Sequence, residues 1–288
     1  MKSYVPLHYV PVEDDGFHIQ INGQAGNHTL RLVVDSGASR TVFDNNRIGG
    51  ISNSPLKLAP EIQAHGLGQE IQSFLLHINC FKIADQTIDN YTSILMDLNP
   101  LNQLFRTIHA PEIHGIIGGD LLVALKAIIN YKKTTIKLAG KRYSLRKLNF
   151  DDGSFHLLLQ INLQNQPANM LLDTGASKTV FDLNCMKLFH DFKPSDLTPN
   201  EKPSAGIHVE TTEHCTAKLG NISFGYLAIP EKDFLLLDLA NINFTYSLLN
   251  LPPIDGIFGN DLLGQLQAVI NYKKKTLRLK GQPNEKPD

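Results

Sequence analysis

The chain has no tryptophan, four methionines and only three cysteines in 288 residues. Cys80, Cys185 and Cys215 are odd in number and widely scattered. That excludes a disulfide framework and fits free thiols in a reducing compartment, so a cytoplasmic protein is expected. No apolar run reaches the roughly 18 residues that a spanning helix needs, and no membrane partner is expected. The opening residues 1–10 lack an uninterrupted apolar core and a small-residue cleavage site, so no signal peptide is expected. The N-x-[ST] matches at Asn27, Asn90, Asn221 and Asn243 then carry no weight. Neither sign of charge is in excess: 27 Lys and Arg face 28 Asp and Glu. A dedicated nucleic-acid binder would show a basic surplus. H-E-x-x-H, C-x-x-C and G-x-G-x-x-G are all missing, and the glycines of residues 115–119 are followed by no G-K-[ST]. Eleven histidines are present, but His109 and His114 lie in no ligand spacing, and Asp255 stands where His114 would repeat. Neither a metal nor a cofactor is expected. What the chain does have is 42% apolar and 19% charged residues, enough to bury a core.

It also has two copies of itself. Residues 30–44 read L-R-L-V-V-D-S-G-A-S-R-T-V-F-D, and residues 168–182 read A-N-M-L-L-D-T-G-A-S-K-T-V-F-D. Phe17-His18 recurs at the same offset as Phe155-His156. Further on, G-I-I-G-G-D-L-L at 115–122 returns as G-I-F-G-N-D-L-L at 256–263, and Asn130-Tyr131-Lys132-Lys133 as Asn271-Tyr272-Lys273-Lys274. Each half is one unit of about 140 residues, far longer than a solenoid repeat. The expected domains are residues 1–140 and 141–280, with a polar tail at 281–288. No flexible linker separates the halves, so they are expected to pack on each other within one chain, as a monomer.

Within a half the pattern is mostly β. Residues 17–22 alternate, residues 23–27 read as a hairpin turn, and residues 30–34 and 41–43 are β-branched runs. The second half gives 155–162, a turn through Pro167, then 170–172 and 179–181. Residues 72–83 and 212–224 also read as strands, as do 128–131 and 134–138 around an exposed lysine turn. One short helix per half is expected, at 120–127 and 261–268, each opened by an Asp able to cap free N–H groups.

The chemistry sits where an apolar strand ends in D-[ST]-G-A-S. A lone Asp there is ordinarily a turn residue. Two copies on duplicated halves, packed about a twofold axis, bring Asp35 and Asp173 side by side. Like charges that close cannot both ionise, so the pair shares a proton. One carboxylate then activates water and the protonated one polarises a carbonyl. Ser36 and Thr174 set a hydroxyl beside each carboxylate, and Gly37 and Gly175 allow close approach. Ser39 and Ser177 lie in no nucleophile motif, no partner histidine is recognisable for them, and they read as hydrogen-bonding the loop. Asp44 and Asp182 read as capping or pairing with an Arg.

These loops resemble those of the retropepsin-like aspartic proteases, and the later I-I-G and I-F-G elements match that family's pattern over residues 15–138 and 152–279. The resemblance implies a mainly β fold of two tandem β-barrel lobes related by a pseudo-twofold axis. It implies an aspartic endopeptidase acting on a peptide or protein through Asp35 and Asp173. It makes Ser36, Gly37, Ala38, Thr174, Gly175 and Ala176 the active loops, with Ile117, Gly118, Phe258 and Gly259 supporting them from behind. It also implies a flap in each lobe, for which His65, Gly66, Leu67 and Gly68, and Ala205, Gly206 and Ile207, are the candidates. Pepsin-like enzymes carry a hydroxyl where Ala38 and Ala176 stand, and a donor there would favour the charged carboxylate. Its loss points to a pH optimum nearer neutral. The alternative is a peptide-binding or regulatory module that keeps the fold with little turnover.

Overall fold

Strands form where β-branched and aromatic residues alternate between short Gly, Asn and Lys turns. The computed structural model of the chain describes residues 2–12, 14–48, 57–58, 73–139, 143–144, 155–186, 197–200 and 214–280. In the first half, Phe17–Ala25 pairs with His28–Val34, which runs parallel to Gly115–Ile117. Gly115–Ile117 pairs with Val42–Asp44, that strand with Gln86–Met96, and Gln86–Met96 with Phe74–Ile83. Phe74–Ile83 meets Phe17–Ala25 again at Lys82 and Gln24, so six strands close into a ring. Ring closure leaves these strands few free edges. Ile21, Leu30, Leu32, Phe43 and Phe81 are fully buried in the same core.

The second half repeats the central pairings. Leu157–Leu163 pairs with Gln166–Leu172, which runs parallel to Gly256–Phe258. Val180–Asp182 lies between Gly256–Phe258 and Lys232–Leu237. Among the described residues this nine-stranded sheet is an open path rather than a ring. The mainly β arrangement of two repeated lobes expected from the sequence is the one observed.

A third sheet joins the lobes: Lys2–Pro6, Thr135–Ala139, Ile128–Asn130, Val269–Asn271 and Thr276–Arg278, all antiparallel. At its centre Ile129 pairs with Ile270, its own repeat, flanked by Ile128 on Asn271 and Asn130 on Val269. Tyr131 N donates to Ala268 O at 3.0 Å, and Tyr272 N to Ala127 O at 2.9 Å. The pseudo-twofold axis therefore passes between Ile129 and Ile270.

Several local expectations need correction. Gly23 is inside the strand Phe17–Ala25, because Leu32 and the Lys82 carbonyl press against its Cα face; the turn is at Gly26, with φ +56°. Pro167 is also in a strand, opposite Asn162, and the turn falls on Gln164 and Asn165, both with positive φ. Residues 214–224 are two strands, His214–Leu219 and Ile222–Phe224, broken at Asn221 with φ 54°. There is more than one helix per lobe: Asn99–Thr107 and Gly119–Ala124 in the first, and Leu183–Met186, Ala240–Leu248 and Asn260–Gln265 in the second. Pro100 suits the first turn of the Asn99–Thr107 helix, and Leu101 and Phe105 bury one face of it. The tail 281–288 lies outside the described residues.

Ile129 and Ile270 are both fully buried at the joint. Ile129→Ala and Ile270→Ala are each expected to cost about 2–5 kcal/mol in denaturant unfolding. Because the two side chains share one site, the double variant should depart from additivity.

Candidate active site

Each active loop begins where a buried strand meets the strand behind it. Asp35 N donates to Ile117 O at 3.0 Å, and Asp173 N to Phe258 O at 3.1 Å. The next residue crosses to the other lobe. Ser36 Oγ donates to Leu172 O at 2.7 Å and accepts from Thr174 N at 2.9 Å. Thr174 Oγ1 donates to Val34 O at 2.8 Å and accepts from Ser36 N at 3.0 Å. Both hydroxyls are fully buried. The sequence reading set them beside their own carboxylates; instead they lock one loop to the other, because each loop leaves one amide and one carbonyl without a partner in its own lobe.

The crossing sets Asp35 against Asp173. Asp35 Oδ1 accepts from Gly37 N at 2.8 Å and Ala38 N at 2.9 Å. Asp173 Oδ1 accepts from Gly175 N at 2.7 Å and, across the axis, from Gly37 N at 3.2 Å. The two carboxyls also hydrogen-bond to each other. A Cβ on Gly37 would overlap the Asp173 carboxyl, and one on Gly175 the Asp35 carboxyl, so glycine at both positions is a condition of the approach. Burial, then the charge of Asp173 and the hydrogen bond to it, push Asp35 well above the usual carboxylate range. Ala38 and Ala176 turn their methyls onto apolar clusters with Val33, Val42 and Ile116, and with Leu171, Val180 and Ile257.

Behind each loop a threonine and an aspartate tie the supporting turn in place. Thr41 N and Oγ1 both donate to Asp120 Oδ1, at 2.9 and 2.7 Å, while Gly118 N donates to Thr41 Oγ1 at 3.0 Å. Thr179, Asp261 and Gly259 repeat this at 2.7, 2.7 and 3.1 Å. Gly119 N donates to Ala38 O and Asn260 N to Ala176 O, at 2.8 and 2.9 Å. Asp120 and Asp261 are therefore not the residues that precede their helices, as expected from the sequence. Those are Gly118 and Gly259, and the carboxylates reach back to the loop. The signal was in the repeat itself, since Thr41, Asp120 and their counterparts recur. The second oxygens differ: Asp120 Oδ2 accepts from Tyr91 Oη at 2.7 Å, Asp261 Oδ2 from Lys232 Nζ at 2.8 Å.

Other expectations fall out as follows. Asp44 pairs with Arg47 at 2.5 Å and accepts from Leu98 N at 3.2 Å; Asp182 accepts from Leu239 N at 3.1 Å. Ser39 does have a histidine partner: His156 Nε2 lies 3.0 Å from its Oγ, supplied by the other lobe and so invisible to local motif reading. His18, the counterpart of His156, is fully buried, and burial pulls its pKa down to about 4. The Phe-His repeat was the only sequence trace of this pair. His65, Gly66, Leu67, Gly68, Ala205, Gly206 and Ile207 lie outside the described residues. Among the described residues, no group of three His, Cys, Asp or Glu is placed to hold a metal ion, and no helix is long and apolar enough to cross a membrane.

Residues 17–121 match the family model described as aspartyl protease. Among solved structures, the chain is similar to a retropepsin-like aspartic protease from Rickettsia conorii, at 16% identity and a TM-score of 0.30, over 48% of this chain and 90% of that one. No curated protein matches.

Two outcomes follow from this geometry. Ser36→Ala and Thr174→Val each leave a buried amide and carbonyl unpaired and should each cost about 1–3 kcal/mol in thermal or denaturant unfolding. The raised pKa of Asp35 also has a sign for stability. Its neutral form is favoured on folding, so the stability it confers is full below the unfolded carboxylate range and is lost as pH rises through its folded value. Asp35→Asn should therefore raise the melting temperature at pH 7, and the gain should shrink toward about pH 4.

Proposed function

We propose that this chain, whose residues 17–121 match the aspartyl protease family model, is an endopeptidase of the retropepsin-like aspartic type with one composite site shared by its two lobes. The observation that carries the reading is the contact between the Asp35 and Asp173 carboxyls on loops that exchange hydrogen bonds across the axis. The lobes are residues 1–140 and 141–280 of one chain acting as a monomer, and the substrate is a peptide or protein. Asp35 holds the shared proton, in keeping with its upward shift. Its Oδ1 is taken by two backbone amides, which leaves Oδ2 for the proton. Water bound between the carboxyls gives a proton to the ionised Asp173 and adds to the scissile carbonyl carbon. The Asp35 proton passes to the carbonyl oxygen, forming a neutral diol. Collapse of the diol returns one hydroxyl proton to Asp35 and expels the amine, which takes its proton from Asp173, so the dyad is reset with one proton between the pair. No covalent enzyme intermediate is formed.

The test is cleavage of a diverse peptide library, read by mass spectrometry from pH 4 to 8. Asp35→Asn and Asp173→Asn should each lower the rate by about 100- to 10,000-fold. Cleavage that survives either change would sink the composite site. The rate should peak nearer neutral than in enzymes whose loops carry a hydroxyl at the alanine positions, and a maximum below about pH 3.5 would contradict this. No cleavage by wild type would favour the binding-module reading.

A further inference from the structure

The two lobes repeat each other closely around the carboxyls, but not in the histidines that flank them. His156 reaches across the lobe boundary to the Asp35 loop. Its Nε2 lies 3.0 Å from Ser39 Oγ, and it has a backbone hydrogen bond to Gly37. Its Nδ1 lies 2.7 Å from the hydroxyl of Tyr246, whose ring stacks on the imidazole at 5.5 Å. His18 makes the equivalent approach to Gly175 of the Asp173 loop. There, however, Phe105 stands where the second lobe has Tyr246, 5.6 Å from the imidazole, and His18 Nδ1 is buried with no hydrogen-bond partner. One loop is thus held by a hydroxyl–imidazole–hydroxyl chain, and the other is not.

We propose that His156 is a positioning residue for the carboxyl pair: fixed by Tyr246, it clamps the Asp35 loop through Ser39, and this one-sided clamp makes the two carboxyls unequal. The inference rests on the reading of Asp35 and Asp173 as the hydrolytic centre. The groups that face His156 are Ser39 and Gly37 from the first lobe, and Tyr246 and Asp173 from the second, with the Arg40 guanidinium over the adjoining Phe155 ring. Burial favours its neutral form over the opposing pull of Asp173 and Gly37. A neutral ring accepts from Tyr246 Oη at Nδ1 and donates from Nε2 toward Ser39 and Gly37, so a single tautomer serves both ends.

The test measures kcat and KM from pH 4 to 8 for wild type, Ser39→Ala, Tyr246→Phe, His156→Ala and His156→Gln, with Asp35→Asn as the inactive reference. Tyr246→Phe copies the first lobe's own Phe105 and is the variant least apt to disturb folding. Ser39→Ala and Tyr246→Phe should each lower kcat by about 5- to 20-fold with KM within about twofold, and should shift the basic limb of the profile. Their double variant should be little slower than either alone, since both act through one imidazole. His156→Gln should recover part of the loss seen in His156→Ala. An unchanged kcat, a rise in KM alone, or a lowered melting temperature with an unshifted profile would overturn the positioning role. If Asp35→Asn cleaves as fast as wild type, the hydrolytic reading falls instead. If it is inactive while the Ser39, Tyr246 and His156 variants are fully active, only the positioning role falls.

Discussion

The exchange between Ser36 and Thr174 is the constraint on which the site depends. Each loop leaves its strand with an amide and a carbonyl that nothing in its own lobe can satisfy, and each finds both partners on one hydroxyl of the other loop. Individually such bonds are worth about 0.5–1.5 kcal/mol net, but a buried polar group left unmade costs more. The geometry is therefore all or none. Both lobes must be folded and docked before either loop is complete. The joint at Ile129 and Ile270 supplies the docking, and the loops supply the alignment.

Alignment has an energetic cost, which falls on the carboxyls. Two acidic groups are brought together in a largely enclosed space, with amides aimed at one oxygen of each. The amides favour charge, whereas burial and proximity oppose it, and at Asp35 the opposition wins. A proton is therefore favoured on Asp35, as the proposed hydrolysis without a covalent intermediate requires. The closeness is possible only because Gly37 and Gly175 carry no side chain. The Thr41–Asp120 and Thr179–Asp261 ties behind the loops resist the repulsion by fixing the turns that carry them.

The duplication has not stayed symmetric. Asn260, where the first lobe has Gly119, bonds to the carbonyls of Phe17 and Thr174 and to the hydroxyl of Tyr131. Lys232 answers Tyr91, and Tyr246 answers Phe105. A homodimer would place identical residues at each of these positions. A fused pair can make its two carboxyls chemically different while keeping the backbone twofold.

The repeat, the strand-rich halves, the two D-[ST]-G-A-S loops and the glycine turns behind them were legible in the sequence, because each depends on order and short spacing along the chain. Duplication also made the pairing of Asp35 with Asp173 readable, since a twofold relation turns two distant motifs into neighbours. The direction of the Ser36 and Thr174 hydroxyls was not readable, nor was the reach of Asp120 past its own helix to Thr41, nor the meeting of Ser39 with His156 from 117 residues away. Side-chain partners in a closed barrel are set by which strands lie side by side, and the Asn99–Thr107 helix owes its place to the burial of Leu101 and Phe105. The sequence by itself determined which residues could do chemistry. Only the tertiary structure decided which of them touch, because those contacts cross from lobe to lobe and no local pattern records them.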